Sequence, residues 1–204
     1  LHPLKDYLPQ EYDLAGSMPD EVKNRPVELV SYNSQEVVPG TLFLCKGAHF
    51  RRSYLADAAR RGAFAYVSET AYPEVDLPGI LVRDIRPVMA SMAAMYYNYP
   101  CRRLKVIGIT GTKGKSTTTY YLKHILDEYL APWGKTCGII SSIDTWDGVE
   151  RFESHLTTPE PLELQKHFYN ALMSGMEYLV MEVSSQALKY HRTLGVSFTA
   201  AAFL

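Results

Sequence analysis

Ten consecutive residues hold the sharpest chemistry in this chain: Gly108-Ile109-Thr110-Gly111-Thr112-Lys113-Gly114-Lys115-Ser116-Thr117. Glycines allow a turn so tight that successive backbone N–H groups point at one anion, and a helix starting at the end of the turn adds its positive pole. Lys115 is then placed to reach the β- and γ-phosphates of a nucleotide, and the Ser116 hydroxyl to ligate Mg²⁺. Gly111, Thr112, Lys113, Gly114, Lys115, Ser116 and Thr117 are accordingly the expected nucleotide-binding residues. The strict pattern G-x-x-x-x-G-K-[ST] asks for glycine at 109, where this chain has Ile109 with Gly108 one place earlier. The loop is a variant of that pattern.

Glu182 closes the apolar run Tyr178–Val183. If that run is a buried parallel strand, its carboxylate emerges at the strand's carboxyl end, where open α/β sheets bind ligands. There it can hold Mg²⁺ opposite Ser116. The segment Leu156-Thr157-Thr158-Pro159-Glu160-Pro161 puts two hydroxyls ahead of a proline-started helix. Such hydroxyls suit an anionic substrate beside a positive helix end, and they equally suit a helix N-cap. Arg192 carries a planar fork suited to a carboxylate or phosphate. A lone histidine such as His191 is as readily packing or surface.

These groups need elements to position them, and strands alternate with helices throughout, the pattern of α/β layers with a mainly parallel sheet. The expected strands are Val27–Ser31, Thr41–Cys45, Ala63–Val67, Gly79–Val82, Leu104–Thr110, Thr136–Ile140, Tyr178–Val183 and Ser197–Leu204. Helices are expected over Ser53–Arg61, from the turn containing Pro87 to about Tyr97, over Lys115–Tyr129, and from Pro161 to near Gly175. Asp147-Gly148 inside Asp144–Phe152 signals a hairpin turn. Asn98–Arg103 breaks the pattern and is the expected linker. The chain stops inside an apolar strand, which suggests part of a larger protein.

Composition narrows the function classes. The 204 residues are 47% hydrophobic and 21% charged with a formal net charge of −1, so a general nucleic-acid binder is not expected. The three cysteines, Cys45, Cys101 and Cys137, form no C-x-x-C pair, so neither zinc site nor disulfide framework is suggested. The N-terminus lacks a charged-then-apolar leader pattern, and no apolar run approaches the ~18–20 residues that span a bilayer. A cytoplasmic protein with no membrane partner is expected.

The string G-x-T-G-T-x-G-K-[ST]-T resembles the phosphate loop of the Mur ligase superfamily, which includes the folylpolyglutamate synthases. Met181-Glu182-Val183-Ser184-Ser185-Gln186-Ala187-Leu188-Lys189-Tyr190-His191-Arg192 is similar to the M-E-V-S-S-H-x-L…H-R segment of its UDP-N-acetylmuramoyl-tripeptide synthetases, and Thr157-Thr158-Pro159 to their T-T-P loop. Tyr32-Asn33-Ser34-Gln35-Glu36-Val37-Val38-Pro39-Gly40-Thr41-Leu42-Phe43 resembles their D-S-R-x-V-x-P-G-x-L-F segment, with Asn33 for Asp and Gln35 for Arg. The D-G-H or D-G-R element that follows is shortened here to Ala48-His49-Phe50-Arg51-Arg52, and Gln186 stands where histidine is common.

The resemblance implies an ATP- and Mg²⁺-dependent ligase that activates the carboxylate of UDP-N-acetylmuramoyl-dipeptide as an acyl phosphate and joins it to an amino acid in peptidoglycan synthesis. It gives Lys115 and Glu182 catalytic roles, Ser116 and Glu182 to the metal, and Ser34, Thr157, Thr158, Ser184 and Arg192 to the substrate. The implied fold class is α/β: a small N-terminal uridine-binding domain over residues 1–100, then part of a P-loop parallel-sheet domain over residues 101–204. Two other readings stand beside it, a folylpolyglutamate synthase-like ligase and a non-catalytic nucleotide- or UDP-sugar-binding module.

Overall fold

A computed structural model describes residues 1–47 and 50–204, so Ala48 and His49 of the shortened element lie outside the described residues. The chain divides into two compact units, Leu1–Tyr96 and Tyr97–Leu204. The expected boundary was 100/101; the division falls just before the Asn98–Arg103 segment.

The first unit runs α1 (Leu4–Tyr7), β1 (Asp13–Ala15), α2 (Asp20–Asn24), β2 (Leu29–Ser31), β3 (Thr41–Leu44), α3 (Arg52–Arg61), β4 (Ala63–Ser68), β5 (Gly79–Leu81) and α4 (Ile85–Tyr96). Its five-stranded sheet has the order β1-β5-β4-β3-β2. The strands β2 to β5 pair in parallel, and β1 is added antiparallel on β5. β3 and β4 are buried at every position, as strands covered on both faces must be. One covering layer joins Leu55 and Ala58 of α3 to Phe43 and Tyr66 of the sheet. In α4, Ile85, Met89, Met92 and Ala93 are buried, a spacing of three and four that forms one helical stripe.

The second unit runs β6 (Lys105–Thr110), α5 (Lys115–Leu130), β7 (Gly138–Ile140), β8 (Asp144–Trp146), β9 (Arg151–Glu153), α6 (Pro161–Met173), β10 (Tyr178–Glu182), α7 (Ser185–Lys189) and β11 (Phe198–Phe203). A 3₁₀ turn over Pro100–Arg102 precedes it and another over Ala131–Trp133 follows α5. The six strands lie in the order β11-β6-β10-β7-β8-β9. The first four are parallel, and β7, β8 and β9 continue as an antiparallel meander.

Successive side chains of a strand face opposite sides of its sheet. In β10 this sends Leu179 and Met181 into a core with Leu164, Phe168 and Ala171 of α6. Tyr178 and Val180 go to the other side, against Leu122, Leu126 and Leu130 of α5. Glu182 has the parity of Val180, so the pleat directs its carboxylate to the side of α5. No helix among the described residues is long and apolar enough to cross a membrane.

Gly108 lies inside β6, paired with Met181 and Ala201, rather than in the loop. A Cβ there would stand 2.7 Å from the Phe198 ring. Its role is to let β11 pack closely, which explains a glycine one place ahead of the phosphate-loop pattern.

Candidate functional site

Three neighbouring parallel strands deliver their carboxyl ends to one place. β6 ends at Thr110 and opens into the glycine loop; β10, beside it, ends at Glu182; β7, beside β10, ends at Ile140 and leads to Ser141 and Ser142. Ligands of open α/β sheets bind at this edge.

The loop itself is set by backbone shape. Gly111 has φ +137° and Gly114 has φ +77°, values that side-chain-bearing residues rarely adopt. Gly114 is the residue before α5, so Lys115 and Ser116 are its first two residues and sit at the helix's positive end. The Lys115 ammonium donates to the Gly111 carbonyl at 2.8 Å, folding the side chain across the loop. Thr112, Lys113 and Thr117 are exposed along the same stretch. The positions expected to meet a nucleotide therefore form one continuous surface.

Ser116 and Glu182 are brought together on the same side of the sheet, through a residue that sequence reasoning missed. The Ser116 and Ser142 hydroxyls are 3.1 Å apart. Glu182 Oε1 accepts from the Ser142 N–H at 2.9 Å and lies 3.1 Å from the Ser142 hydroxyl. Glu182 is 1% exposed. A carboxylate held at a strand end beside two hydroxyls gives a hard, all-oxygen donor set, which suits Mg²⁺ and not a soft metal. The residues present fit that ion.

The turn bearing Ser142 is tied at both ends. Ser141 donates from its N–H and its hydroxyl to the Asp144 carbonyl at 3.0 and 2.9 Å. Its oxygen accepts from the N–H groups of Ile143 and Asp144 at 3.1 Å each. Asp144 also accepts from the Tyr120 phenol of α5 and lies 3.6 Å from the Arg151 guanidinium. Burial, followed by the hydrogen bond to Asp144, pushes the Tyr120 phenol above its ordinary range.

Of the residues expected to hold the substrate, Thr158, Ser184 and Arg192 form one joint. The fully buried Thr158 hydroxyl donates to the Glu182 carbonyl and accepts from the Ser184 N–H, each at 3.0 Å. The proton of that buried hydroxyl and one of its lone pairs are spent internally, so Thr158 fixes the Glu182 strand end rather than offering a proton outward. The Ser184 oxygen accepts from the Ala187 N–H at 3.1 Å as the N-cap of α7. Arg192 donates to the Thr158 carbonyl at 3.1 Å and pairs with Glu160 at 2.7 Å. Its Nε is buried and meets no acceptor among the described residues. Thr157 is half-buried beside this joint. Gln186 is exposed on α7, and the exposed His191 takes a positive φ of 57° where the chain turns into Arg192.

Ser34 lies in the first unit, three residues past the end of β2, and is 7% exposed. Its hydroxyl hydrogen-bonds Asp57, and with Arg60 and Arg61 it helps offset the burial of that carboxylate, whose pKa lies below the ordinary value. Asn33 and Gln35, which replace charged residues of the resembled segment, bond locally: the Asn33 carboxamide reaches the Gln35 N–H at 3.0 Å and Gln35 reaches Asp57 at 3.2 Å.

A buried polar hub supports the β8–β9 hairpin against α6. Asp147 is 0% exposed and its carboxylate accepts from the N–H groups of Val149 and Glu150 at 3.0 and 2.7 Å. The same carboxylate meets His167 at 2.7 Å and Asn170 at 2.9 Å. Burial alone would raise this carboxyl, but the hydrogen bonds outweigh it and hold the group down at about 2.

Comparison with known proteins gives the family and fold that the chain resembles. Residues 109–204 match the Mur ligase middle domain. The chain is 42% identical over 202 residues to the UDP-N-acetylmuramoyl-L-alanyl-D-glutamate–L-lysine ligase of Enterococcus faecalis, covering 98% of this chain and 39% of the relative. It is 46% identical over 175 residues to a UDP-N-acetylmuramyl-tripeptide synthetase of Lactococcus lactis subsp. cremoris, covering 86% of this chain and 35% of the relative. The solved structure of a UDP-N-acetylmuramoyl-L-alanyl-D-glutamate–2,6-diaminopimelate ligase superposes with a TM-score of 0.72 at 21% identity, covering 98% of this chain and 39% of that one. This last likeness speaks for the fold alone. The chain thus spans well under half the length of the relatives it matches.

Proposed function

The chain belongs to the Mur ligase family, and from that premise we propose that it carries the nucleotide site of an ATP- and Mg²⁺-dependent ligase adding the third amino acid to UDP-N-acetylmuramoyl-dipeptide in peptidoglycan synthesis. One observation carries the reading: Ser116 and Glu182, 66 positions apart in sequence, meet through Ser142 within two contacts of 3.1 Å at the mouth of the phosphate loop. The relatives' names supply the direction of the chemistry.

In this reading the N–H groups of Gly111–Lys115 wrap the phosphates, and the Lys115 ammonium leaves the Gly111 carbonyl for the γ-phosphate. Ser116 and Glu182 hold Mg²⁺, which when bound neutralises charge on the transferring phosphoryl group. Arg192 is assigned to an acidic group of the substrate, whose oxygen would supply the acceptor that its buried Nε lacks among the described residues. Thr158 keeps Arg192 and Glu182 in fixed relation through its carbonyl and hydroxyl. The carboxylate of the muramoyl dipeptide would be activated as an acyl phosphate, and the amine of the incoming residue would displace the phosphate. Residues 1–100 are assigned to the uridine end with Ser34 at the pocket, and residues 101–204 to ATP. A cytoplasmic location follows from those substrates.

Titration calorimetry tests the proposal. ATP is expected to bind in a Mg²⁺-dependent manner, Lys115→Ala to weaken it by about 10–100-fold, and UDP binding to survive that change. Absence of nucleotide binding, or equal loss of both ligands, would contradict a two-site layout.

A further inference from the structure

Ser116 and Tyr120 stand four residues apart on α5, hence on one face of the helix. Both grip the same turn. Ser116 reaches Ser142 at 3.1 Å, and the Tyr120 phenol donates to the carboxylate of Asp144. The turn between those two points is closed on itself by the Ser141 hydroxyl, which accepts from Ile143 and Asp144 and donates to the Asp144 carbonyl. It therefore moves as a unit, and what anchors Asp144 anchors Ser142.

The two grips differ in what a cation does to them. Coordination of a divalent ion by Ser116 and Glu182 would draw the Ser116 oxygen into the metal's shell and disturb its bond to Ser142. The Tyr120–Asp144 bond uses neither group. It is a charge-assisted hydroxyl–carboxylate bond, a class roughly twice as strong as a neutral pair. Arg151, at 3.6 Å, gives Asp144 a cationic neighbour and comes from β9 rather than from α5.

We propose that Tyr120 is a positioning residue for the divalent cation: its phenol, through Asp144, keeps Ser142 docked on Glu182 so that the carboxylate stays aimed at Ser116 when the ion is bound. The inference rests on the reading that nucleotide and metal occupy this loop. Tyr120 touches neither of them and acts through the turn, as partners outside a metal's immediate ligands commonly do.

The test is Mn²⁺ affinity in the presence of saturating non-hydrolysable ATP analogue, read by electron paramagnetic resonance, with metal-free analogue binding and thermal unfolding measured alongside. Tyr120→Phe should weaken Mn²⁺ binding about tenfold and leave metal-free analogue binding within about twofold. Asp144→Asn keeps an acceptor for the phenol and should hold Mn²⁺ within about threefold of the parent protein. Unchanged Mn²⁺ affinity in Tyr120→Phe overturns the proposal, and so does a parallel loss of metal-dependent and metal-free binding, which would mark a merely structural role. If the parent protein itself shows no metal-dependent analogue binding, the nucleotide reading fails and this one with it. An effect confined to the variant separates the two.

Discussion

Replacing Asp147 by asparagine should unfold the second unit more readily, in a way that depends on pH. In the folded chain the carboxyl is held at about 2 against an ordinary 3.8. A shift of this size corresponds to about 2 kcal/mol of stability at neutral pH. The folded value is depressed, so the contribution is complete above about pH 5 and disappears as pH falls toward 2. Asparagine loses this term and turns an N–H₂ toward one pair of the donors from His167, Asn170, Val149 and Glu150. Leaving buried donors unpaired adds about 1–3 kcal/mol, for an expected total of about 3–5 kcal/mol. Both tryptophans, Trp133 and Trp146, belong to the second unit. Urea unfolding followed by tryptophan fluorescence therefore reports that unit. The gap between Asp147→Asn and the parent protein should narrow by about 1.5 kcal/mol between pH 6 and pH 2.5. A gap below about 1 kcal/mol at pH 7, or one indifferent to pH, would refute the claim that four hydrogen bonds stabilise an ionised carboxylate here.

Thr158→Val, nearly isosteric, should cost about 1–3 kcal/mol in the same unfolding assay, because the Glu182 carbonyl and the Ser184 N–H both lose a buried partner. Thr157→Val should cost less than about 1 kcal/mol in that assay, since Thr157 is only half-buried, and equal costs would contradict the separation of the two hydroxyls. Burial pushes the Cys137 thiol up to about 12, so reaction with a thiol reagent at pH 8 should proceed only on the unfolding timescale, whereas fast labelling of Cys137 would contradict its burial.

The site was legible in sequence where residue type and place in an element both spoke. Lys115 and Ser116 follow from the glycine loop, and Glu182 from its place at the end of an apolar run; the side of the sheet it faces came from the packing of β10 against α5. Ser142 carried no such mark: serine is common after strands, and its importance comes from β7 lying beside β10, a neighbour relation that sequence order conceals. Its place directly beyond a buried parallel strand was the available signal.

Asp147-Gly148 was readable as a hairpin turn, yet such a turn is ordinarily solvated. The burial of Asp147 depends on His167 and Asn170 of α6, some 20 residues on. Thr158 was open between ligand and cap, and its two internal bonds decide how the hydroxyl is used. The elements α1, β1 and α2 escaped because segments of three to five residues show too little periodicity to stand out. β1 is recruited by the edge of β5 rather than by any pattern of its own.

The most direct test is to locate Mn²⁺ by anomalous scattering in crystals grown with a non-hydrolysable ATP analogue. The account predicts the ion about 2.0–2.3 Å from the Ser116 hydroxyl, with the Glu182 carboxylate as a ligand directly or through one water. An ion bound elsewhere, with neither group in its shell, would contradict it.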